Sequence, residues 1–260
     1  MTKILGLSGK KSSGKNTAAN WIIGQQMCAI DLVSYVKINA KGQLVVPAVI
    51  DGELKEGVFD PTSSDQEVRK MLSHYIWPVV KLYSFADVLK MSVCAILGLD
   101  EKNVNGTNDE KNALTKYEWI DFKQFVTQDT KKSVTDWLAK ISGREILQVV
   151  GTDIFRRVDY DVWVNACLRQ IEFDKPELAI VTDCRFPNEV NGIQKAGGKV
   201  VRFTRAPFAD GDQHKSETAL DNYDKFDATI DNATMSIEQQ NEAVTKLLTE
   251  WGFNTWKWTV

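Results

Sequence analysis

The chain has 260 residues, 43% of them hydrophobic and 26% charged, which excludes disorder and collagen-like structure and allows a sizeable buried core. Its 32 Lys and Arg against 35 Asp and Glu give a net charge of −3, so there is no basic footprint for gripping a nucleic-acid polymer. The four cysteines, Cys28, Cys94, Cys167 and Cys184, form no CxxC pair, and the two histidines complete no finger-like zinc site with them, which fits a reduced cytoplasmic compartment.

Met1-Thr2-Lys3 leads into only a short apolar stretch before Ser8, and no apolar run approaches the roughly 18 residues that span a bilayer, so neither a leader nor a membrane segment is expected. Lys3 to Leu7 reads as a buried strand that breaks into a polar loop at Ser8-Gly9. From Lys15, the apolar residues Ala18, Ala19, Ile22, Ile23 and Met27 recur at helical spacing. Residues 29–62 mix valines with glycines and prolines and read as a hairpin-like surface insertion.

A helix over 64–77 stops at Pro78, a second strand covers 79–85, and a helix over 86–97 ends at Gly98. Residues 100–142 are polar with scattered aromatics and read as short helices in a peripheral, mainly helical subregion on the acceptor side. Helices follow at 143–157 and 160–173, then a strand at 178–182, a helix after Pro187, a strand at 199–204, a short strand at 228–230 and a last helix opened by Ser236 and Gln239. Five strands alternating with helices argue for an α/β fold: a five-stranded, mostly parallel sheet covered by helices on both faces, in one domain spanning 1–260.

Gly9-Lys10-Lys11-Ser12-Ser13-Gly14-Lys15 fits GxxxxGK and lies where its chemistry demands, between a hydrophobic strand and the first turn of a helix. Glycines let the backbone wrap a phosphate, successive N–H groups and the helix terminus stabilise its charge, and Lys15 can reach the terminal phosphates. The strict pattern next asks for Ser or Thr on Mg²⁺; here Asn16 and then Thr17 follow, so Asn16 is left to offer its carbonyl oxygen directly or through water.

The later apolar strand ends in Thr182-Asp183-Cys184-Arg185, with no glutamate after Asp183 to activate water. An arginine there suits a second anionic reactant, and Asp183 suits a metal-linked or substrate-linked role. Arg144, Arg156, Arg157, Arg185, Arg202 and Arg205 all fall near predicted element ends, which favours phosphoryl transfer over hydrolysis.

These residues resemble the deoxynucleoside monophosphate kinases of tailed bacteriophages, within the P-loop nucleoside monophosphate kinase group. The likeness rests on Gly9 through Thr17, on Phe85 through Lys90, on Leu147 through Asp153, on Asp161 through Val164 and on Thr182 through Glu189. It includes Arg202 through Arg205, His214 through Glu217 and the Ile230-Asp231-Asn232 loop, but not 29–62 or 100–142.

The resemblance implies a P-loop kinase fold with ATP and Mg²⁺ as cofactors and small nucleotides as partners, with a homodimer left open. It implies ATP contacts from Gly9, Ser12, Ser13, Gly14, Lys15, Asn16, Thr17 and Asn232, and metal contacts from Asn16 and Asp183. The acceptor would meet Lys11, Lys90, Arg144, Gly151, Thr152, Trp163, Asp183, Arg185 and Glu189. Lys15, Arg185 and Arg205 would be catalytic, Arg205 from a lid near 202–216. Trp163 can stack on a base or be a core aromatic, and Glu189 can touch substrate or be a first-turn helix charge. Two other readings stand beside the kinase of deoxynucleotides: a P-loop kinase of another phosphorylated metabolite, and a nucleotide-binding regulatory module.

Overall fold

A computed structural model of the chain describes residues 1–50, 52–126, 133–205 and 218–255. The chain forms two compact units, Met1–Ser84 with Leu168–Val260, and Phe85–Cys167.

The first unit opens with β1 (Lys3–Ser8) and α1 (Lys15–Ala29). The expected surface insertion is an antiparallel sheet of β2 (Lys37–Ile38), β3 (Leu44–Ile50) and β4 (Glu53–Phe59), in the order β2-β3-β4. It is not wholly superficial: Leu44 is completely buried and packs with α1 in the main core. Helix α2 (Gln66–Met71) is capped by Asp65, which accepts from the Glu67 and Val68 N–H groups. It continues as one π-helical turn, Leu72–Ile76, before Pro78 and β5 (Val80–Tyr83).

The second unit begins with α3 (Phe85–Leu97), which stops at Gly98, followed by α4 (Glu101–Asn105) and α5 (Asn108–Asn112). Short helices were expected here, but the structure adds an antiparallel ribbon of β6 (Leu114–Glu118) and β7 (Lys140–Ser142), with α6 (Val134–Trp137) between them. Two strands this short and polar carry too little alternation to be legible. The expected helix over 143–157 is α7 (Gly143–Gln148), a π-helical turn Val149–Phe155 and α8 (Arg156–Val158). Helix α9 (Val162–Asp174) starts in this unit and finishes in the first.

The first unit then adds β8 (Leu178–Cys184), α10 (Pro187–Lys195), β9 (Lys199–Phe203), β10 (Ala228–Ile230) and α11 (Ile237–Glu250). Its sheet runs β10-β9-β1-β8-β5, and every pairing is parallel. Parallel strands need both faces covered, and the period-2 pattern supplies both. Leu5, Leu7, Ile180 and Phe203 face a core shared with α1 and α11. On the alternate positions α10 packs against β1 and β9, and a Cβ added at Gly6 would lie 2.7 Å from Ile193 Cδ1.

Strand β1 is central, with β8 on one side and β9 on the other. The connections reverse direction there, so the carboxyl end of β1 is the place where an open α/β sheet presents a binding crevice. Among the described residues no helix is long and apolar enough to cross a membrane.

Candidate active site

The loop after β1 has the geometry of an anion cradle. Gly14, at φ 102°, is the N-cap of α1 and offers the helix's first N–H groups no side-chain cap, and no acidic residue lies in the first turn. Those amides and the positive helix end face whatever enters the loop. Gly9 and Ser12 also adopt positive φ, of 149° and 59°, which turns the chain tightly enough to bring successive N–H groups together. Lys15 is 9% exposed, and its ammonium donates to the carbonyls of Gly9 and Lys10, each at 2.7 Å. The lysine thus lies across the mouth of the cradle. Ser13 and Thr17 are buried, while Lys11, Ser12 and Asn16 are exposed.

Asn232, expected among the ATP contacts, supports the loop from behind. It is fully buried; its amide donates to the Ser13 carbonyl at 2.7 Å and to Gln240 Oε1 at 2.6 Å, and its oxygen accepts from the Arg205 N–H at 2.9 Å. Gln240 in turn donates to the Gly14 carbonyl at 3.1 Å, and a Cβ at Gly14 would run into this same Gln240 side chain. Only glycine fits there. Sequence reasoning missed Gln240 because nothing local marks one glutamine on a polar helix. Beside Asn232, the Thr204 hydroxyl and then the Ala233 N–H hold the Asp231 carboxyl below its ordinary range.

Strand register brings the other expected groups to the same sheet edge. Ser8 pairs with Cys184 of β8 on one side and with Arg202 of β9 on the other, so Asp183 and Arg185 bracket a residue directly beside the start of the loop. Asp183 accepts from the Ser84 hydroxyl at 2.6 Å, a partner not foreseen from sequence. Arg202 donates to Ser8 Oγ at 3.1 Å and lies 3.8 Å from Asp221, which also pairs with Lys10 at 3.3 Å.

Glu189 is 2% exposed and accepts the N–H groups of Arg185 and Phe186 at 2.7 and 3.0 Å at the start of α10, while its own N–H donates to the Phe186 backbone carbonyl at 3.1 Å. It orients the backbone of Arg185 from the first turn of the helix.

Five expected acceptor contacts lie in the second unit. Trp163 is 6% exposed, its indole N–H donates to the Gly151 carbonyl at 3.0 Å, and its ring meets Phe155 edge-on at 5.4 Å. It packs as a core aromatic with its polar tip satisfied. Gly151 is buried against Leu89, whereas Thr152 is exposed on the same π-helical turn. Arg144 donates to Asn108 at 3.0 Å, and Lys90 lies 4.0 Å from Asp87.

The model of the deoxynucleotide monophosphate kinase family matches residues 3–243. The chain belongs to that family. A protein of Acanthamoeba polyphaga mimivirus, provisionally named a deoxynucleotide monophosphate kinase, is 26% identical over 163 residues, 57% of this chain and 73% of the viral one. The deoxynucleoside-5'-monophosphate kinase of Escherichia phage T5 is 42% identical over 50 residues, 19% of this chain and 20% of the phage protein. An uncharacterised protein, ORF77, of Ictalurid herpesvirus 1 is 29% identical over 105 residues, 38% of this chain and 46% of its own.

A kinase of this family takes ATP as phosphate donor, and the uncapped α1 terminus fits a triphosphate. For Mg²⁺ the donor chemistry is also suitable. Among the described residues no group of three or more His, Cys, Asp or Glu gathers, and the oxygens of Asn16 and Asp183 are of the kind that complete the shell of an ion carried on phosphates. The kinase's expected lid near 202–216 lies outside the described residues from 206 onward. Arg205, at its root, is held through its backbone by Asn232, and its buried Nε has no hydrogen-bond partner among the described residues.

Proposed function

We propose that this kinase moves the γ-phosphoryl group of ATP onto the phosphate of a deoxynucleoside monophosphate, with the triphosphate on Gly9–Thr17 and the acceptor phosphate beside Asp183 and Arg185. The observation that carries this reading is the register of β1, β8 and β9, which sets an anion cradle and the Asp183–Arg185 pair on adjacent strand ends. The bond from γ-phosphorus to its bridging oxygen breaks as an acceptor phosphate oxygen bonds to that phosphorus. Because the protein forms no covalent link, its contribution is alignment and charge.

Each residue has a separable task. The amides of Lys15, Asn16 and Thr17 hold donor oxygens at the helix end. Lys15 leaves the Gly9 and Lys10 carbonyls for the donor phosphates, and the Arg185 guanidinium grips the acceptor phosphate through its paired N–H groups. Glu189 positions Arg185, and Ser84 positions Asp183. When bound, Mg²⁺ neutralises donor charge, and Asn16 with Asp183 would hold it. Arg205 adds lid charge. Lys11, Lys90, Arg144 and Thr152 enter as substitution effects on the acceptor KM, measured one at a time. Action in the cytoplasm agrees with cysteines, Cys28, Cys94, Cys167 and Cys184, that form no CxxC pair.

A coupled ADP-release assay across the canonical deoxynucleoside monophosphates and common modified ones tests the reaction. The expected result is turnover only with such an acceptor, and a loss of roughly 10³-fold in kcat/KM for Lys15→Ala. ATP hydrolysis indifferent to every acceptor would overturn it.

A further inference from the structure

The turn between β2 and β3 touches the first turn of α1, in a segment where no site residue was expected. Asn39 builds this turn: its side-chain oxygen accepts from the N–H groups of Lys41 and Gln43, and its carbonyl from the Gly42 N–H at 2.8 Å. Gly42 sits at its apex with φ 75°. A Cβ added there would run into the Thr17 hydroxyl. Asn20, one turn further along α1, donates to the Gly42 carbonyl at 2.9 Å. The approach continues below: Leu44 is fully buried, and a Cβ at Gly24 would lie 2.7 Å from Leu44 Cδ1. Thr17 is left 8% exposed.

We propose that this turn is a buttress for the phosphate cradle, and that Gly42 is a positioning residue for donor binding through Thr17. The proposal rests on the reading that ATP occupies Gly9–Thr17. The physical reason is that Gly14, the N-cap of α1, has no side chain to cap the helix, so its first turn relies on outside contacts to stay in place. Asn232 and Gln240 hold the loop at Ser13 and Gly14, and the β2–β3 turn holds the next turn at Thr17 and Asn20. An N–H group that is shifted or tilted loses alignment with its phosphate oxygen, and a misplacement of about 1 Å can cost roughly 10²-fold where alignment carries the effect.

The test is the ATP Kd by calorimetry and the acceptor KM for Gly42→Ala, Gly52→Ala, Thr17→Ala and Gly42→Ala combined with Thr17→Ala. Gly52 is the control. It has a similar φ of 79° in the β3–β4 turn, but a Cβ there meets nothing within 4 Å, so its alanine carries the backbone strain without the contact.

Gly42→Ala should raise the ATP Kd at least roughly tenfold with the acceptor KM within about twofold, Gly52→Ala should leave the ATP Kd within about twofold, and the effect of Gly42→Ala should shrink on the Thr17→Ala background. Equal effects of the two glycine variants, or full additivity with Thr17→Ala, would overturn the buttress. If Gly42→Ala does not fold, Asn20→Ala removes the tether without strain and should raise the ATP Kd in the same sense; an unchanged value would overturn the proposal. Lys15→Ala separates the two readings. ATP binding that survives Lys15→Ala removes the donor-loop reading, whereas binding lost with Lys15→Ala but kept with Gly42→Ala removes only the buttress.

Discussion

Several residues that chemistry marked as ligands hold other residues in place. Trp163, Glu189 and Asn232 are all buried, and each has its polar atoms engaged by backbone. Buried polar groups must be paired, and a side chain that pairs with backbone one shell behind a site leaves the same sequence signature as one that touches the ligand. Trp163 gives the clearest test. Trp163→Ala should lower the stability of the second unit by about 3–5 kcal/mol through the cavity it leaves. Trp163→Phe should cost about 1–2 kcal/mol, because it keeps most of the ring and leaves the Gly151 carbonyl without its donor. Urea unfolding measures both. A base-stacking role would show the opposite pattern, with stability kept and the acceptor KM raised many-fold.

Elements were legible where a strong period or a cap coincided with a stop. The first and last helices, the five sheet strands and the β1–loop–α1 unit all follow from apolar spacing with Gly14, Pro187, Gly197 and Ser236 as punctuation. The β6–β7 ribbon and the π-helical turns were not, because their geometry comes from packing and not from local preference. The candidate site was legible at its loop and at Asp183–Arg185, and illegible at Ser84 and Gln240, which only strand order and helix docking bring into place. The sheet edge shows the same dependence on long-range contact. Strand β5 is an outer strand, and the end of α9 pins it: Asp174 takes Lys81 at 2.6 Å, the Tyr83 hydroxyl at 2.8 Å and Gln170 at 3.0 Å. The Lys81 ammonium also lies 4.9 Å from the centre of the Trp77 ring and 5.4 Å from that of Tyr83. Burial raises the Asp174 carboxyl, but the Lys81 and Tyr83 bonds outweigh it and hold the group below its ordinary value. A depressed folded value means that this contribution is fully present above the ordinary carboxylate range and is lost as pH falls through the lowered value. Asp174→Asn should therefore cost about 2 kcal/mol at neutral pH and flatten the acid side of the stability curve. Urea midpoints taken from neutral pH down through the carboxylate range check this; parallel curves for the two proteins would refute it.

At the scale of the whole molecule, the donor loop ties binding to folding. The cradle exists only when β1, α1, the Asn232 loop and α11 are assembled, since its supports come from residues more than two hundred positions away in sequence. The unfolded chain offers no such arrangement, so ATP binds the folded state alone and stabilises it by mass action. At a free concentration of 100 times Kd the gain is about 2.7 kcal/mol. For a chain of this length that corresponds to a rise of roughly 5–10 °C in the melting temperature of the first unit. Lys15→Ala removes the main cation facing the donor while leaving the hydrophobic core untouched, so its own melting temperature should stay near the parent value and the ATP-induced rise should vanish. Scanning calorimetry with and without ATP and Mg²⁺, at matched protein concentration, reads both quantities. An equal ATP-induced rise in the parent and Lys15→Ala proteins would place the triphosphate somewhere other than the loop after β1.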